Sequence, residues 1–334
     1  MTEAMTADGG VDDVDDFLFI INPKGGNGQT LKRWRQLAPE LEATFKDFKV
    51  GQALTTGPAH ATTLARDACK KGVLGVIAVG GDGTIHEVVN GFFEEDTAKV
   101  VSSRRGKRTA LGIVPAGTGS DFIRSFGWKA DSRAALARLV RGQRKAIDVG
   151  RVTCWDNGKM KSRFFINEAD LGLTALVGRG VPPWKWLGGL SYSAATVQAF
   201  FSHVNTDLRM KVDGGPWQAV PQNTGTIVAN AQYFGGGMKI APKADPADGQ
   251  LDVLAMSHFR WYDFLRSSPR LFAGTHIDLK GVTALRVKTL EIEAALEGDK
   301  VPGRQPFLVQ ADGEPLGTLP ASFSILPGAI DLLV

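Results

Sequence analysis

Three times in the first half of the chain, a short apolar run leads into a glycine-rich loop and then an amphipathic stretch. This repetition restricts the fold more than any other feature. Phe17–Ile21 runs into Asn22-Pro23-Lys24-Gly25-Gly26-Asn27-Gly28, residues 76–79 into Gly80-Gly81-Asp82-Gly83-Thr84, and residues 111–114 into Pro115-Ala116-Gly117-Thr118-Gly119-Ser120-Asp121. Leu31, Trp34, Leu37 and Leu41 share one side of a helix after the first loop. Pro58 suits the first residue of a second helix that stops at Gly72, a third helix is expected over 85–93, and Asp131-Ser132 cap another that ends at Gly142. Strands alternating with helices in this way predict βαβ units on a parallel sheet. Its loops then meet at the carboxyl edge, where backbone N–H groups and helix N-termini favour an anion. Glycine lets that backbone approach closely and form a concave nest, so the pattern predicts a phosphate site.

The loops also exclude familiar alternatives. None reads G-x-x-x-x-G-K-[ST], and no G-x-G-x-x-G opens the first helix, which removes Walker nucleotidases and dinucleotide-dependent dehydrogenases. The five histidines show no HExxH or paired-ligand spacing for catalytic zinc. The two cysteines, Cys69 and Cys154, make no disulfide framework, and no basic-then-apolar leader is evident, so a reducing cytoplasmic location is expected. No run approaches the ~20 apolar residues that cross a bilayer.

At 334 residues the chain suits about two domains. Residues 1–16 hold six acids and no Lys or Arg, and read as an acidic disordered tail; the rest therefore carries a net +10. Residues 99–145 alone hold twelve Lys or Arg against two Asp, with Arg104, Arg105, Lys107 and Arg108 nearly adjacent. Such a zone attracts anionic headgroups or phosphate ligands. Nucleic acid is not expected, since no recognition module accompanies the charge. An α/β domain over 17–146 gives way, after a hinge near 145–150, to a β-rich domain over 147–322. Its strands are expected at 163–166, 208–212, 226–231, 251–255, 285–292 and 307–311, and its helices at about 190–203 and 261–273.

The loop sequences, continued through Ile85-His86-Glu87-Val88-Val89-Asn90-Gly91 and Phe122, and joined by Asp248-Gly249-Gln250-Leu251-Asp252 and Gln310-Ala311-Asp312-Gly313-Glu314-Pro315, resemble the bacterial diacylglycerol kinase and sphingosine kinase-like lipid kinases. The resemblance covers nearly everything after residue 16. It implies a three-layer α/β nucleotide-binding domain similar to NAD kinase, followed by a β-sandwich lipid domain, with the final strands, about 323–334, returning to the first domain. Carried over by position, ATP would touch Asn22, Pro23, Lys24, Gly25, Gly26, Thr55, Gly81, Asp82, Gly83, Thr84, Ile85, His86, Glu87 and Thr118. A structural Mg²⁺ is implied at the Asp248 carboxylate with the Asp245 and Gln250 carbonyls; the alternating acids and closing Glu of an EF-hand are missing there. Ser120 stands where many members of the family have Asn.

Phosphoryl transfer needs charge neutralisation and a positioned acceptor hydroxyl. Asp82 is expected to hold Mg²⁺, directly or through water, with Asp121 sharing that network; the bland alternative for Asp82 is a helix cap. Asp312 or Glu314 is the expected general base toward a lipid hydroxyl, with Glu314 favoured. The stretch 181–190, with Trp184, Lys185 and Trp186, has the composition of an interfacial segment, so peripheral contact with an anionic membrane surface is expected. The competing readings are an NAD kinase-like enzyme, which shares the Gly-Gly-Asp-Gly-Thr loop, and a non-catalytic nucleotide sensor.

Overall fold

The computed structural model describes residues 15–94, 97–103, 106, 108–117, 120–180, 203–295 and 307–334. Thr118, Arg104, Arg105, Lys107, the tail through residue 14, the stretch 181–190 and nearly all of the helix expected at about 190–203 lie outside the described residues. Two compact units are present. One runs to Ile123 and includes Trp128–Ile147 and Gly328–Val334; the other comprises Arg124–Gly127 and Asp148–Pro327.

The first unit holds β1 (Phe17–Ile21), α1 (Thr30–Thr44), β2 (Val50–Leu54), α2 (His60–Lys71), β3 (Gly75–Gly80), α3 (Asp82–Gly91), β4 (Ala110–Pro115), α4 (Asp121–Arg124) and α5 (Ser132–Leu139). Its strands are parallel in the order β2-β1-β3-β4, and Asp331 and Leu332 of the chain's last strand add alongside β4. Every residue of β3 and β4 is buried, as a sheet covered on both faces requires. Trp34, Leu37 and Leu41 pack α1 onto Phe19 and Phe45, whose rings meet edge-on at 5.4 Å. Gly72, at φ +83°, ends α2 in the left-handed cap expected of it, while the Asp131 carboxylate accepts the Arg133 and Ala134 N–H groups at the start of α5. The helix after the second loop begins three residues earlier than expected. Thr84 and Ile85 donate to the Gly81 carbonyl, so Asp82, Gly83 and Thr84 form the first turn of α3 rather than a loop.

The second unit holds β5 (Arg144–Asp156, from Asp148 onward), β6 (Lys159–Phe165), β7 (Glu168–Gly172), α6 (Leu173–Gly180), β8 (Thr206–Val212), β9 (Trp217–Ala229), β10 (Leu251–Ser257), α7 (Trp261–Ala273), β11 (Val282–Val287), β12 (Thr289–Ala294), β13 (Leu308–Ala311) and β14 (Glu314–Leu333, to Pro327). The expected β-sandwich is corrected in one respect: six strands close on themselves in the order β7-β13-β14-β12-β8-β9. Closure follows from two long strands that change partners along their length. β9 pairs with β8 over 217–223 and with β7 over 225–229, while β14 pairs with β13 over 314–318 and with β12 over 321–324. Pro320, which has no N–H to give a ladder, sits at the handover in β14, and Pro221 sits at the register shift in the pairing of β9 with β8. The single strand expected over 285–292 is split, because the Asp213 carboxylate accepts the Lys288 and Thr289 N–H groups at 2.8 Å each and turns the chain there.

β7 is buried on both faces. Ala169 and Leu171 join the core, whereas Glu168 and Asp170 point the other way. Asp170 is fully buried, and Gln310 Nε2 donates to its Oδ2 at 2.7 Å. Burial pushes this carboxyl up to about 6, against the lowering effect of hydrogen bonds with Glu168, Gln310 and Thr174. A raised carboxyl favours the folded state when protonated. Its contribution is complete below the ordinary carboxylate range and is lost as pH rises through about 6. Wild-type stability should therefore fall by up to about 3 kcal/mol between pH 4 and pH 7 from this group, and Asp170→Asn should flatten that decline in thermal unfolding scans. Superimposable pH profiles for the two proteins would remove Asp170 as its source.

Candidate active site

In the first unit the three glycine loops pack against one another backbone to backbone. A Cβ on Gly117 would lie 2.6 Å from the Gly81 nitrogen, and one on Gly26, at φ +57°, would lie 2.9 Å from the Ala116 carbonyl oxygen. No other residue fits these positions without moving main chain. Hydrogen bonds fix the same approach. Thr30 Oγ1 donates to the Ala116 carbonyl at 2.8 Å, Ala116 N–H to the Gly80 carbonyl at 3.0 Å, and Asn22 Nδ2 to Thr84 Oγ1 at 3.3 Å. Thr30 and the Asn22–Thr84 contact were not legible as partners, since no sequence spacing links residues so far apart.

Beside this junction is a cavity of about 260 Å³ lined by Asn22, Lys24, Thr55, Thr56, Pro58, Thr84 and Glu87, among others. Five of the residues expected to touch nucleotide, Asn22, Lys24, Thr55, Thr84 and Glu87, thus share one wall. Thr55 is held there by its N–H bond to the Ile21 carbonyl at 2.9 Å. Glu87 reaches back to cap α2, accepting the Ala61 N–H through Oε2 at 3.1 Å. Pro23, Gly25 and Gly26 belong to the first loop and Gly81 to the second; Gly83 is exposed. Ile85 and His86 are buried in the unit's interior, with His86 stacked one turn below Asn90.

Asp82 opens α3, and its carboxylate crosses to the third loop. Oδ2 accepts the Asp121 N–H and Oδ1 the Phe122 N–H, both at 3.2 Å. Asp82 therefore does cap a helix, α4, from a position beside the meeting of the second and third loops. Asp121 is itself buried. Among the described residues no cluster of three or more His, Cys, Asp or Glu side chains is shaped to hold a metal by itself. Two carboxylates with the remaining positions left to water and phosphate oxygens are the donor set Mg²⁺ commonly takes, so Asp82 and Asp121 fit a nucleotide-borne divalent ion.

In the second unit Asp312 and Gly313, at φ +48° and +83°, form the tight turn between β13 and β14. The Asp312 carboxylate accepts three backbone donors: Ile166 N–H at 3.0 Å on Oδ2, and Asn167 N–H at 2.9 Å and Glu168 N–H at 3.0 Å on Oδ1. It ties the hairpin to the entry of β7. Glu314, the first residue of β14, is exposed. The Asp245–Gln250 turn is held by contacts within the chain. Asp248 pairs with Arg286 and accepts the Gln250 N–H, while the Asp245 carbonyl takes the Asp248 N–H. A cation at Asp248 has to share that carboxylate with a guanidinium.

Also in the second unit, a narrow apolar cavity is enclosed by Phe264 and Leu271 of α7, Ile227 of β9, Met256 of β10, Phe234 and Met238.

Residues 16–152 match the family described as the diacylglycerol kinase catalytic domain, and residues 168–334 match the YegS C-terminal NAD kinase beta sandwich-like domain. The diacylglycerol kinase of Mycobacterium tuberculosis (strain ATCC 25618 / H37Rv) is 30% identical over 317 residues, covering 94% of this chain and 93% of that protein. The diacylglycerol kinase of Bacillus subtilis (strain 168) is 27% identical over 308 residues, covering 91% of each. A crystal structure of a diacylglycerol kinase from Bacillus anthracis str. Sterne aligns with a TM-score of 0.67 at 22% identity, over 95% of this chain and 96% of that one, which establishes likeness of fold.

Proposed function

We propose, from the premise that this chain belongs to the diacylglycerol kinase family of lipid kinases, that it transfers the γ-phosphoryl group of ATP to a hydroxyl of diacylglycerol or a related hydroxylipid. The observation that carries the reading is the glycine-to-glycine meeting of the three loops around Asp82, next to the Asn22–Thr55–Glu87 cavity. In this reading the first unit takes the nucleotide. Backbone N–H groups of the loops and Lys24 face its phosphates, and the neutral polar wall of Asn22, Thr55 and Thr84, with Glu87, takes its nucleoside end. Asp82 and Asp121 hold Mg²⁺, which supplies charge neutralisation on the phosphoryl group.

The second unit takes the lipid. An acyl chain fits the apolar cavity under α7, because aliphatic CH₂ groups gain from leaving water and nothing charged lines it. Glu314 accepts the hydroxyl proton, since it is exposed at the hairpin while Asp312 has both oxygens engaged with backbone donors. No described helix is long and apolar enough to cross a membrane; the enzyme meets its acceptor peripherally, at the cytoplasmic face.

The test is γ-labelled ATP with Mg²⁺ and a total lipid extract, with NAD offered in a parallel reaction. Label in a lipid phosphate, chased by added diacylglycerol, is expected. NADP formation would move the chain to the NAD kinase-like reading, and ATP binding without any labelled product would make it a sensor.

A further inference from the structure

The wall of the apolar cavity under α7 includes four polar side chains, Thr174, Thr224, Ser267 and His276. Two of them are committed to backbone. Thr224 Oγ1 accepts the Phe259 N–H at 3.0 Å and lies 3.5 Å from the Phe259 carbonyl oxygen, while His276 Nε2 meets the Ile240 carbonyl at 2.9 Å. Thr174, half-buried in the first turn of α6, differs from all three in having a buried acid behind it.

That acid is Asp170, fully buried on β7 four residues earlier, with Glu168 on the same face of the strand. Gln310, opposite Asp170 in the β13 register, donates Nε2–H to its Oδ2 at 2.7 Å. Acceptors are in excess here. Asp170 Oδ1 and Gln310 Oε1 are buried without a close donor among the described residues. An unmet buried acceptor costs on the order of 1–3 kcal/mol, so such a cluster draws in a hydroxyl proton from beside it. Thr174 has that hydroxyl, and its hydrogen bonding to Asp170 favours the ionised carboxylate. The other acceptor for the same proton is the Leu171 carbonyl at 3.3 Å. Neither acceptor lines the cavity, so whichever one takes the proton, Thr174 presents oxygen lone pairs to whatever the cavity holds. A hydroxyl that donates to a carboxylate is also the stronger acceptor for it.

We propose that Thr174 is the specificity-determining contact of this cavity, accepting a hydrogen bond from a second hydroxyl carried beside the lipid's chain, and that Asp170 is the positioning residue that keeps the Thr174 proton turned away from the lipid. This rests on the lipid-kinase reading and narrows its acceptor. The favoured lipid has two neighbouring hydroxyls, one to be phosphorylated and one held at Thr174. Diacylglycerol has an ester in the second place, whose oxygens only accept, so it meets Thr174 lone pair to lone pair and binds more weakly.

The experiment compares dodecyl glyceryl ether with the same ether lacking its middle hydroxyl, each competing with a fluorescent single-chain alcohol for the full chain. Wild type should favour the diol by about tenfold, the worth of one hydrogen bond. T174V keeps the shape without the oxygen and should bring the ratio to about one; T174S should restore it. D170N should lower the ratio, because the amide keeps an oxygen for Gln310 and turns its NH₂ to Thr174, filling the lone pair the lipid would use. With ATP and Mg²⁺ the loss should appear in KM for the diol rather than in kcat. A merely structural Thr174 or Asp170 would change affinity for both ethers alike and leave their ratio. The proposal is overturned by a wild-type ratio near one, by a ratio that T174V leaves intact, by one that S267A abolishes in its place, or by failure of both ethers to displace the probe. The binding ratio needs no turnover, so a chain that phosphorylates neither ether fails the kinase reading while the ratio still decides the contact.

Discussion

Asp82→Asn is expected to lower turnover on the order of 10²–10³-fold while leaving a folded protein. The carboxylate's observed role as a cap and its proposed role at Mg²⁺ respond differently to the change. As a cap it accepts the Asp121 and Phe122 N–H groups, and an amide keeps one acceptor oxygen but sets its NH₂ against the other donor. That loss amounts to about 1 kcal/mol, visible as a small fall in Tm. In its proposed role at Mg²⁺ it is a carboxylate ligand, and a neutral amide is a much weaker ligand for a divalent ion. Turnover and stability should therefore separate, with a large kinetic loss beside a minor thermal one. Measuring kcat at saturating ATP across a Mg²⁺ titration tests this directly. Activity within a few-fold of wild type would leave Asp82 as a cap alone, and a large fall in Tm would assign the kinetic loss to the third loop's geometry.

What the sequence made legible follows the range of the physics involved. The βαβ repetition is local: apolar runs, glycine loops and helical periodicity are all read within a dozen residues, and β1, β3, β4, α1 and α7 stand where that pattern places them. The start of α3 was misplaced because Gly-Gly-Asp-Gly-Thr scores as a turn by composition, whereas here it contains a helix's first turn that uses the Gly81 carbonyl. β2, Val50–Leu54, has neither alternation nor a continuous apolar run, being an edge strand that is nowhere fully buried. Ring closure in the second unit depends on which strand meets which, and no local pattern in the sequence carries it. At the site, glycine at Gly26, Gly81 and Gly117 could be read as permitting close approach. That the three approach one another as well as a ligand is tertiary information, carried by contacts such as Thr30 to Ala116 across 86 positions.

In the proposed reading the hairpin at residues 312–314 divides its two acids between structure and chemistry, and the two substitutions should then fail in different ways. Asp312 receives three backbone N–H groups at 2.9–3.0 Å, so Asp312→Asn replaces an acceptor oxygen with a donor in a site that offers only donors. A cost on the order of 1–3 kcal/mol in stability follows, with any kinetic loss arriving through a displaced hairpin. Glu314 is exposed, and Glu314→Gln keeps its shape, so Tm should be unchanged. If Glu314 accepts the lipid hydroxyl's proton, the chemical step measured by single turnover should slow by about 10²–10⁴-fold, with ATP affinity the same, since the nucleotide-facing residues are untouched. Should Asp312→Asn instead slow the chemical step more than Glu314→Gln at equal Tm, the proton goes to Asp312 despite its backbone donors. Should neither alter the chemical step, the turn serves only to join β13 to β14, and the base lies on another element of the chain.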